Sequence, residues 1–137
     1  MLSRPNIQPV LPLGRVPLGD QVVYPNVRTD DHGQSLHGGN RYVLHFEPGQ
    51  QPMASLWTLS LHTAQNGLEF SRLSDTPVYG EDGALTIMIQ RDPPKEKGNW
   101  LAAPDEAFTI NMRFYGPHRS ILDGSWMTPS PVRLEWT

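Results

Sequence analysis

The sequence predicts a single all-β domain with an extended N-terminal arm, and three observations support this prediction. The 137 residues include 12 glycines and 14 prolines, which interrupt helices and are common in turns. Several segments alternate apolar and polar residues with the period of two that is typical of a strand with one buried face. No segment has a convincing amphipathic-helix pattern, and a chain of this length needs only one core.

Composition favours a soluble globular protein and narrows the range of partners. Hydrophobic residues make up 37% and charged residues 18% of the chain, which fits neither a disordered nor a membrane-embedded protein. A formal net charge of -3 provides no broad positive field, so we expect no nucleic-acid partner. The absence of cysteine excludes disulfides and thiolate chemistry. With no recognisable signal peptide or membrane segment, the default expectation is a cytoplasmic protein without a membrane partner, although secretion and the periplasm stay open.

Residues 1–20 are predicted to form a Pro-rich arm, and residues 21–137 to form the domain. The prolines are closely spaced, which prevents helix and favours extended backbone. The arm is either a frayed terminus or a segment packed on the domain or on a neighbouring subunit. Apolar residues favour packing slightly, namely Leu11, Leu13, Val16 and Leu18.

The first half of the domain contains three predicted strands. Residues 21–27 are a possible first strand and precede the turn-forming residues 29–33. Clear alternation begins in residues 41–46 and returns in residues 56–62, which end at the hairpin-type turn 65–67. The predicted core-facing residues are Tyr42, Leu44, Phe46, Trp57, Leu59 and Leu61.

The second half contains three further predicted strands. Residues 68–79 show no clear pattern, whereas residues 84–90 alternate. Residues 108–115 have the longest alternation and are predicted to be a central strand. A single helical turn is expected around residues 120–122, followed by an edge strand in residues 132–136. Core-facing residues are predicted at Leu85, Ile87, Ile89, Phe108, Ile110, Met112 and Phe114.

A series of short motifs runs from Asp30 towards the C-terminus. In order they include DDHGQSLHGG, RYVLHF, WTLSL, DGALTI, NWLAAP, RFYGP and LDGSW. This order resembles domain-of-unknown-function family 1214 over most of residues 24–137. The resemblance implies a jelly-roll-like antiparallel β-sandwich, which agrees with the alternating segments, and a domain that is usually the C-terminal partner of a family 1254 domain. It implies no established activity, and we predict no cofactor.

Two departures from the family pattern affect what this chain can do. Residues 68–81 look shorter than the family pattern, which has an additional loop with arginine and tyrosine there. The family 1254 partner is missing as well. A surface that such a partner covers would therefore be exposed, capped by the arm or buried in an oligomer.

Polar side chains on the non-core sides of the strands are the first candidates for a site. The set comprises His45, Thr58, Ser60, His62, Thr86, Gln90, Thr109, Asn111 and Arg113. Its ordinary explanation is the solvent side of a half-buried sandwich. In the alternative the set lines one polar face, where His45, His62 and Arg113 bind a ligand, with the Arg113 fork holding an anionic group.

Histidine patterns give little support for a metal or for catalysis. His45 and His62 have no ligand-like spacing and no acidic third ligand nearby in sequence, so no metal is predicted. Ser60, His62 and Asp75 can be combined into a triad, but no nucleophile elbow accompanies them. We therefore predict no catalytic residue.

Two residues after the charged loop 91–98 are further candidates for ligand binding. Trp100 either closes one end of the sandwich or lines a binding mouth. Asn99 either contacts a ligand or braces the loop through hydrogen bonds to the backbone. Trp57 lies on an apolar strand face and is predicted to belong to the core.

Arg113 is expected to have a fixed partner, because an unpaired buried guanidinium is costly. Acidic candidates are Asp92, Asp105 and Asp123, and backbone carbonyls are the alternative.

Taken together, the sequence favours a non-catalytic binding or assembly module that forms a homo-oligomer or binds a partner β domain. The alternative is an enzyme, or a binder of a carbohydrate or anionic ligand.

Overall fold

The computed structural model describes residues 22–52 and 54–135, and it is an all-β sandwich. The predicted arm, residues 1–20, lies outside the described residues. Among these residues, no helix has the length and apolar character needed to cross a membrane. The elements in chain order are β1 (Val22–Val23), β2 (Asn26–Val27), β3 (Arg41–Phe46), β4 (Ala54–Thr63), β5 (Glu69–Arg72), β6 (Leu85–Gln90), β7 (Asn99–Ala102), β8 (Phe108–Pro117), α1 (Arg119–Leu122) and β9 (Val132–Leu134).

Two sheets face each other across the core. The front sheet has the order β1-β8-β4-β5, and β2 also pairs with β8. The back sheet has the order β7-β6-β3-β9. The prediction of an all-β sandwich is confirmed, and β8 lies inside its sheet as the long alternation predicts. The predicted strand at residues 41–46 coincides with β3, while β4, β6 and β8 differ from their predictions by one or two residues at their ends.

The predicted first strand is divided into β1 and β2 by Tyr24 and Pro25. Pro25 has no backbone N–H and cannot donate to a ladder. Its carbonyl still accepts a hydrogen bond of 3.0 Å from the backbone N–H of Met112. Both short strands therefore stay against β8.

Strands β5 and β7 were not predicted from the sequence. Each has only four residues, too few for an alternating pattern to be recognised. Because β7 runs parallel to β6, the back sheet is mixed rather than antiparallel throughout. The two edge strands face each other, and Ser71 of β5 donates a hydrogen bond of 2.7 Å to the carbonyl of Ala102 in β7.

The core lies between the inward faces of the two sheets. Phe108, Ile110 and Phe114 are buried as predicted. Trp57 is only half-buried, although it packs against the core and its ring lies 6.0 Å from that of Phe46. The core prediction is thus confirmed for three residues and only in part for Trp57, which also lines a surface groove.

Candidate functional site

The predicted polar set is divided between the two outer faces of the sandwich. His45 and Thr86 lie in register on the back sheet, whereas His62 pairs with Thr109 on the front sheet. His45 therefore cannot share a site with His62 or Arg113 within one chain, which corrects the expectation of one polar face. Period-two alternation distinguishes inward from outward side chains but does not assign a strand to a sheet.

His45 is held by short contacts on the back sheet. Its Nδ1 lies 2.7 Å from Oγ1 of Thr86, and its Nε2 lies 3.2 Å from a carboxylate oxygen of Glu47. Both ring nitrogens thus have a partner. This arrangement ties the end of β3 to β6.

The outer face of the front sheet has an apolar end and a polar end. The apolar end comprises Val22, Tyr24, Leu56 and Tyr115, and the polar end comprises Asn26, Ser60, His62, Thr109 and Asn111. The pairing of β4 with β8 creates this division, because Leu56 lies opposite Tyr115 and Ser60 lies opposite Asn111. The short strands extend both ends, with Val22 opposite Tyr115 and Asn26 opposite Asn111.

Arg113 lies between the two ends and is exposed to solvent. Its guanidinium carbon is 5.5 Å from the centre of the Tyr24 ring, the geometry of a cation–π contact. The expectation that Arg113 is buried is wrong, because Arg113 lies opposite Thr58 on the outer face of the sheet. Its partner among the described residues is the Tyr24 ring rather than one of the expected carboxylates or backbone carbonyls. One predicted partner, Asp105, instead pairs with Arg91 at 3.0 Å.

Replacing Arg113 by leucine is expected to lower the free energy of unfolding by less than about 1 kcal/mol, the scale of an exposed cation–π contact. Denaturant titration measures this change, with Arg133→Leu as a control at another exposed arginine. A loss above about 2 kcal/mol for Arg113→Leu alone would contradict the exposed position of this side chain.

Ser60 and His62 form a hydrogen-bonded pair at the polar end. The Oγ of Ser60 lies 3.0 Å from Nε2 of His62, and the Nδ1 of His62 lies 3.2 Å from the carbonyl oxygen of Gly67. A carbonyl accepts only, so in the neutral ring Nδ1–H donates and Nε2 accepts from Ser60. Asp75 is not the orienting partner of His62, unlike in the triad drawn from the sequence. The pair has the Ser–His contact that nucleophilic catalysis needs, without an acidic third group.

An ion pair between Arg72 and Glu69 lies beside His62 at the sheet edge. Arg72 donates a hydrogen bond of 2.7 Å to Glu69, and this contact holds the pKa of the Glu69 carboxyl below its ordinary value. Partial burial acts in the opposite direction, and the charges of Arg72, His62 and Arg113 lower this pKa further. A lowered carboxyl pKa stabilises the fold above the unfolded-state pKa, and the gain is lost as pH falls through the folded value. The pair is exposed, so its contribution is small.

The clefts on the described surface include three that adjoin the candidate residues. The polar cleft, of about 350 Å³, lies at the polar end of the front sheet and includes Asn26, Arg28 and His62 in its lining. A groove of about 330 Å³, called the apolar groove after Leu56, Trp57 and Tyr79, runs beside the apolar end. Its lining also contains polar residues, namely Ser55, Thr58, Ser74 and Asp75. The largest cleft, of about 540 Å³, lies on the back sheet under residues 91–98.

Asn99 and Trp100 have internal hydrogen-bond partners. The Asn99 amide accepts from the Val78 N–H at 2.7 Å and donates to the carbonyls of Val78 at 2.7 Å and Thr86 at 2.9 Å. This favours the bracing role, although the segment braced is the one around Val78 rather than the charged loop. The indole of Trp100 donates to the carbonyl of Gln90 at 2.9 Å. Asn99 lines the largest cleft, but its amide is already used.

Two residues of the polar cleft, Asn26 and Arg28, were missed by the sequence-based search. They lie on either side of the buried Val27 in sequence. This alternation, which turns both side chains outward, was the only signal for them in the sequence. No group of three or more histidine, aspartate and glutamate side chains that could hold a metal ion occurs within the part of the chain that the structure describes.

The fold and its surface define a β-sandwich domain with two open outer faces. The chain belongs to the family described as Protein of unknown function (DUF1214), whose family model matches residues 21–119. This confirms the resemblance drawn from the motifs. A comparison with curated proteins found no match.

A solved structure supports the same fold. The chain is similar to the crystal structure of the VPA0106 protein from Vibrio parahaemolyticus, with a TM-score of 0.74 and 25% sequence identity. The match covers 83% of this chain and 31% of that one. The chain thus spans less than a third of the length of the protein it matches.

Proposed function

We propose that the chain is a non-catalytic assembly module whose docking surface is the apolar end of the front sheet together with the apolar groove. The occupant of this surface is a second copy of the chain, which contributes its residues 1–21. The observation that carries the proposal is the exposed apolar surface on one face of a β-sandwich. Such patches commonly mark sites of protein association.

Large apolar side chains are exposed on this surface. Tyr24 is 39% exposed and Leu56 is 58% exposed, and both belong to the apolar end. Tyr79, which lines the adjoining groove, is 48% exposed. Leu56 lines the groove as well, so the two regions form one continuous surface.

The position of β1 links this surface to the segment before it. Val22 lies opposite Tyr115, and Val23 lies opposite Phe114. The chain therefore enters the front sheet at its apolar end and runs towards its polar end. The 21 preceding residues can span at most about 70 Å when extended, which is enough to reach a neighbouring copy.

The composition of residues 1–21 suits an apolar surface. Leucine, isoleucine and valine alternate with prolines in this segment. Prolines cannot complete a ladder, so side chains would supply the contacts. The segment joins β1 at one side of this surface, and in the proposed assembly it crosses to the same surface of a second copy.

The comparison with a longer protein gives separate support for a covered surface. The matched region is 31% of the VPA0106 chain, so a related sandwich occurs there as part of a larger protein. A family 1254 partner, which the motif resemblance implies for such domains, would require a docking face on the sandwich. The docking surface proposed for a second copy is a face of the same kind.

Sedimentation equilibrium across a range of concentrations tests the proposal. We expect the full chain to associate, and Leu56→Glu or deletion of residues 1–20 to shift it towards monomer, because a desolvated carboxylate opposes apolar docking. Val132→Glu is the matched control, since Val132 is 41% exposed on the back sheet. This control should associate like the unchanged chain.

Three outcomes would contradict the proposal in different ways. A full chain that stays monomeric at high concentration overturns the assembly function. Equal loss of association in Leu56→Glu and Val132→Glu overturns the choice of surface. Loss in Leu56→Glu without loss in the deletion variant overturns residues 1–21 as the occupant.

A further inference from the structure

The polar cleft is lined by both hydrogen-bonding and apolar residues. It lies between β2, β8 and the turn that follows β4, and the buried Leu36 and Phe108 contribute to its lining. Its polar lining residues are Asn26, Arg28, Ser35, His62, Thr63, Thr109 and Asn111. Among the described residues that line it, none is acidic. The cleft is therefore positive and rich in donors.

Two asparagines in the cleft have their amide oxygens engaged. The Oδ1 of Asn26 accepts a hydrogen bond of 3.0 Å from Nε of Arg28. The Oδ1 of Asn111 accepts one of 2.6 Å from Oγ1 of Thr109. Each asparagine is left with its NH₂ group as a donor. Asn26 and Asn111 lie opposite each other in the β2–β8 register, so the two residues are neighbours in the sheet.

Arg28 supplies the charge. Its Nε is used by Asn26, which leaves the two terminal NH₂ groups of the guanidinium. Within residues 22–52 and 54–135, no carboxylate pairs with Arg28, in contrast to Arg72 with Glu69 and Arg91 with Asp105. Its donors are thus available to a ligand.

His62 does not oppose an anion in this cleft. In the neutral ring its Nε2 lone pair accepts from Ser60, and its Nδ1–H donates to the Gly67 carbonyl. No ring lone pair is therefore left to repel a negatively charged group. His62 therefore lines the cleft without competing with an anion for the hydrogen-bond donors there.

We infer that the polar cleft binds a small carboxylate anion, held by the guanidinium of Arg28 and by the amide NH₂ groups of Asn26 and Asn111. A planar guanidinium matches the planar fork of a carboxylate and forms charge-assisted hydrogen bonds with it. A volume of about 350 Å³ suits a small organic acid. The site is independent of the proposed docking surface, which lies at the other end of the front sheet.

Titration of the isotopically labelled full chain with sodium acetate, at an ionic strength held constant with sodium chloride, tests the inference by NMR. We expect saturable shifts of the side-chain NH₂ signals of Asn26 and Asn111. A parallel titration with sodium sulfate tests the chemical class, and we expect sulfate to bind more weakly than acetate. Sulfate binding as tight as acetate binding would overturn the carboxylate assignment.

Variants locate the binding. Arg28→Gln and Asn111→Asp should each raise the acetate dissociation constant by about tenfold or more, by removing charge or by adding a repelling carboxylate. Arg133→Gln is the matched control, because Arg133 is an exposed arginine of the back sheet and does not line the cleft. The acetate affinity of this variant should stay unchanged. Backbone amide spectra verify that each variant is folded. Absence of saturation, or equal affinities for the unchanged chain and both cleft variants, would overturn the site.

Discussion

Replacing Phe114 by alanine is expected to lower the free energy of unfolding by about 3–5 kcal/mol, the range for large-to-small changes in a packed core. Phe114 is fully buried in β8, and its ring packs edge-on against Trp126 at 5.4 Å between ring centres. The change removes apolar contacts on both sides of the ring and leaves a cavity that the sheet can only partly close. Denaturant titration measures the loss.

Phe70→Ala is the matched control for this prediction. Phe70 lies on the edge strand β5 and is 51% exposed, so its truncation should cost less than about 1 kcal/mol. If both variants lose the same stability, the assignment of Phe114 to the core is wrong. The two variants remove the same chemical group, so the difference reports burial alone.

Replacing Gly38 by alanine is expected to cost about 3 kcal/mol or more, at or above the upper range for overpacking. A Cβ at this position would overlap the carbonyl oxygen of Pro104, which belongs to the backbone and cannot rotate away. The N–H of Gly38 also donates a hydrogen bond of 3.0 Å to the Glu106 carbonyl. Relief of the overlap would separate these two backbone segments, so thermal and chemical unfolding should both show the loss.

The neighbouring glycine provides a control for Gly38→Ala. A Cβ at Gly39 would lie 3.3 Å from Nδ1 of the His37 side chain, which is exposed and can shift. Gly39→Ala should therefore cost less than about 1 kcal/mol. A Gly38→Ala variant as stable as Gly39→Ala would show that residues 104–106 move freely, contrary to the close approach seen here.

The strands that could be predicted from the sequence are those whose side chains alternate for six residues or more. β3, β6 and β8 have that length and place Tyr42, Ile87 and Ile110 in the core. In such a strand, burying one face sets the period of two. The pattern contains no information on the neighbouring strand, so the separation of His45 from His62 and the parallel pairing of β7 could not be predicted.

The candidate sites were less predictable than the strands. Arg113 was expected to be buried because its neighbours in sequence, Met112 and Phe114, are apolar, yet alternation itself turns it outward. Asn26 begins the two-residue strand β2, Arg28 follows that strand, and the two residues form no motif. Their donor character arises from side-chain hydrogen bonds and strand register, which only three-dimensional coordinates contain.

The brace formed by Asn99 has an evolutionary consequence. Its amide is hydrogen-bonded to both the N–H and the carbonyl of Val78. The connection between β5 and β6 is therefore held at Val78 as well as at the buried Leu73. An insertion between Leu73 and Val78 would leave the buried Leu73 and the Asn99–Val78 hydrogen bonds in place. It would change only the wall of the apolar groove. Related proteins can therefore diverge in what this groove accepts while they keep the same sandwich.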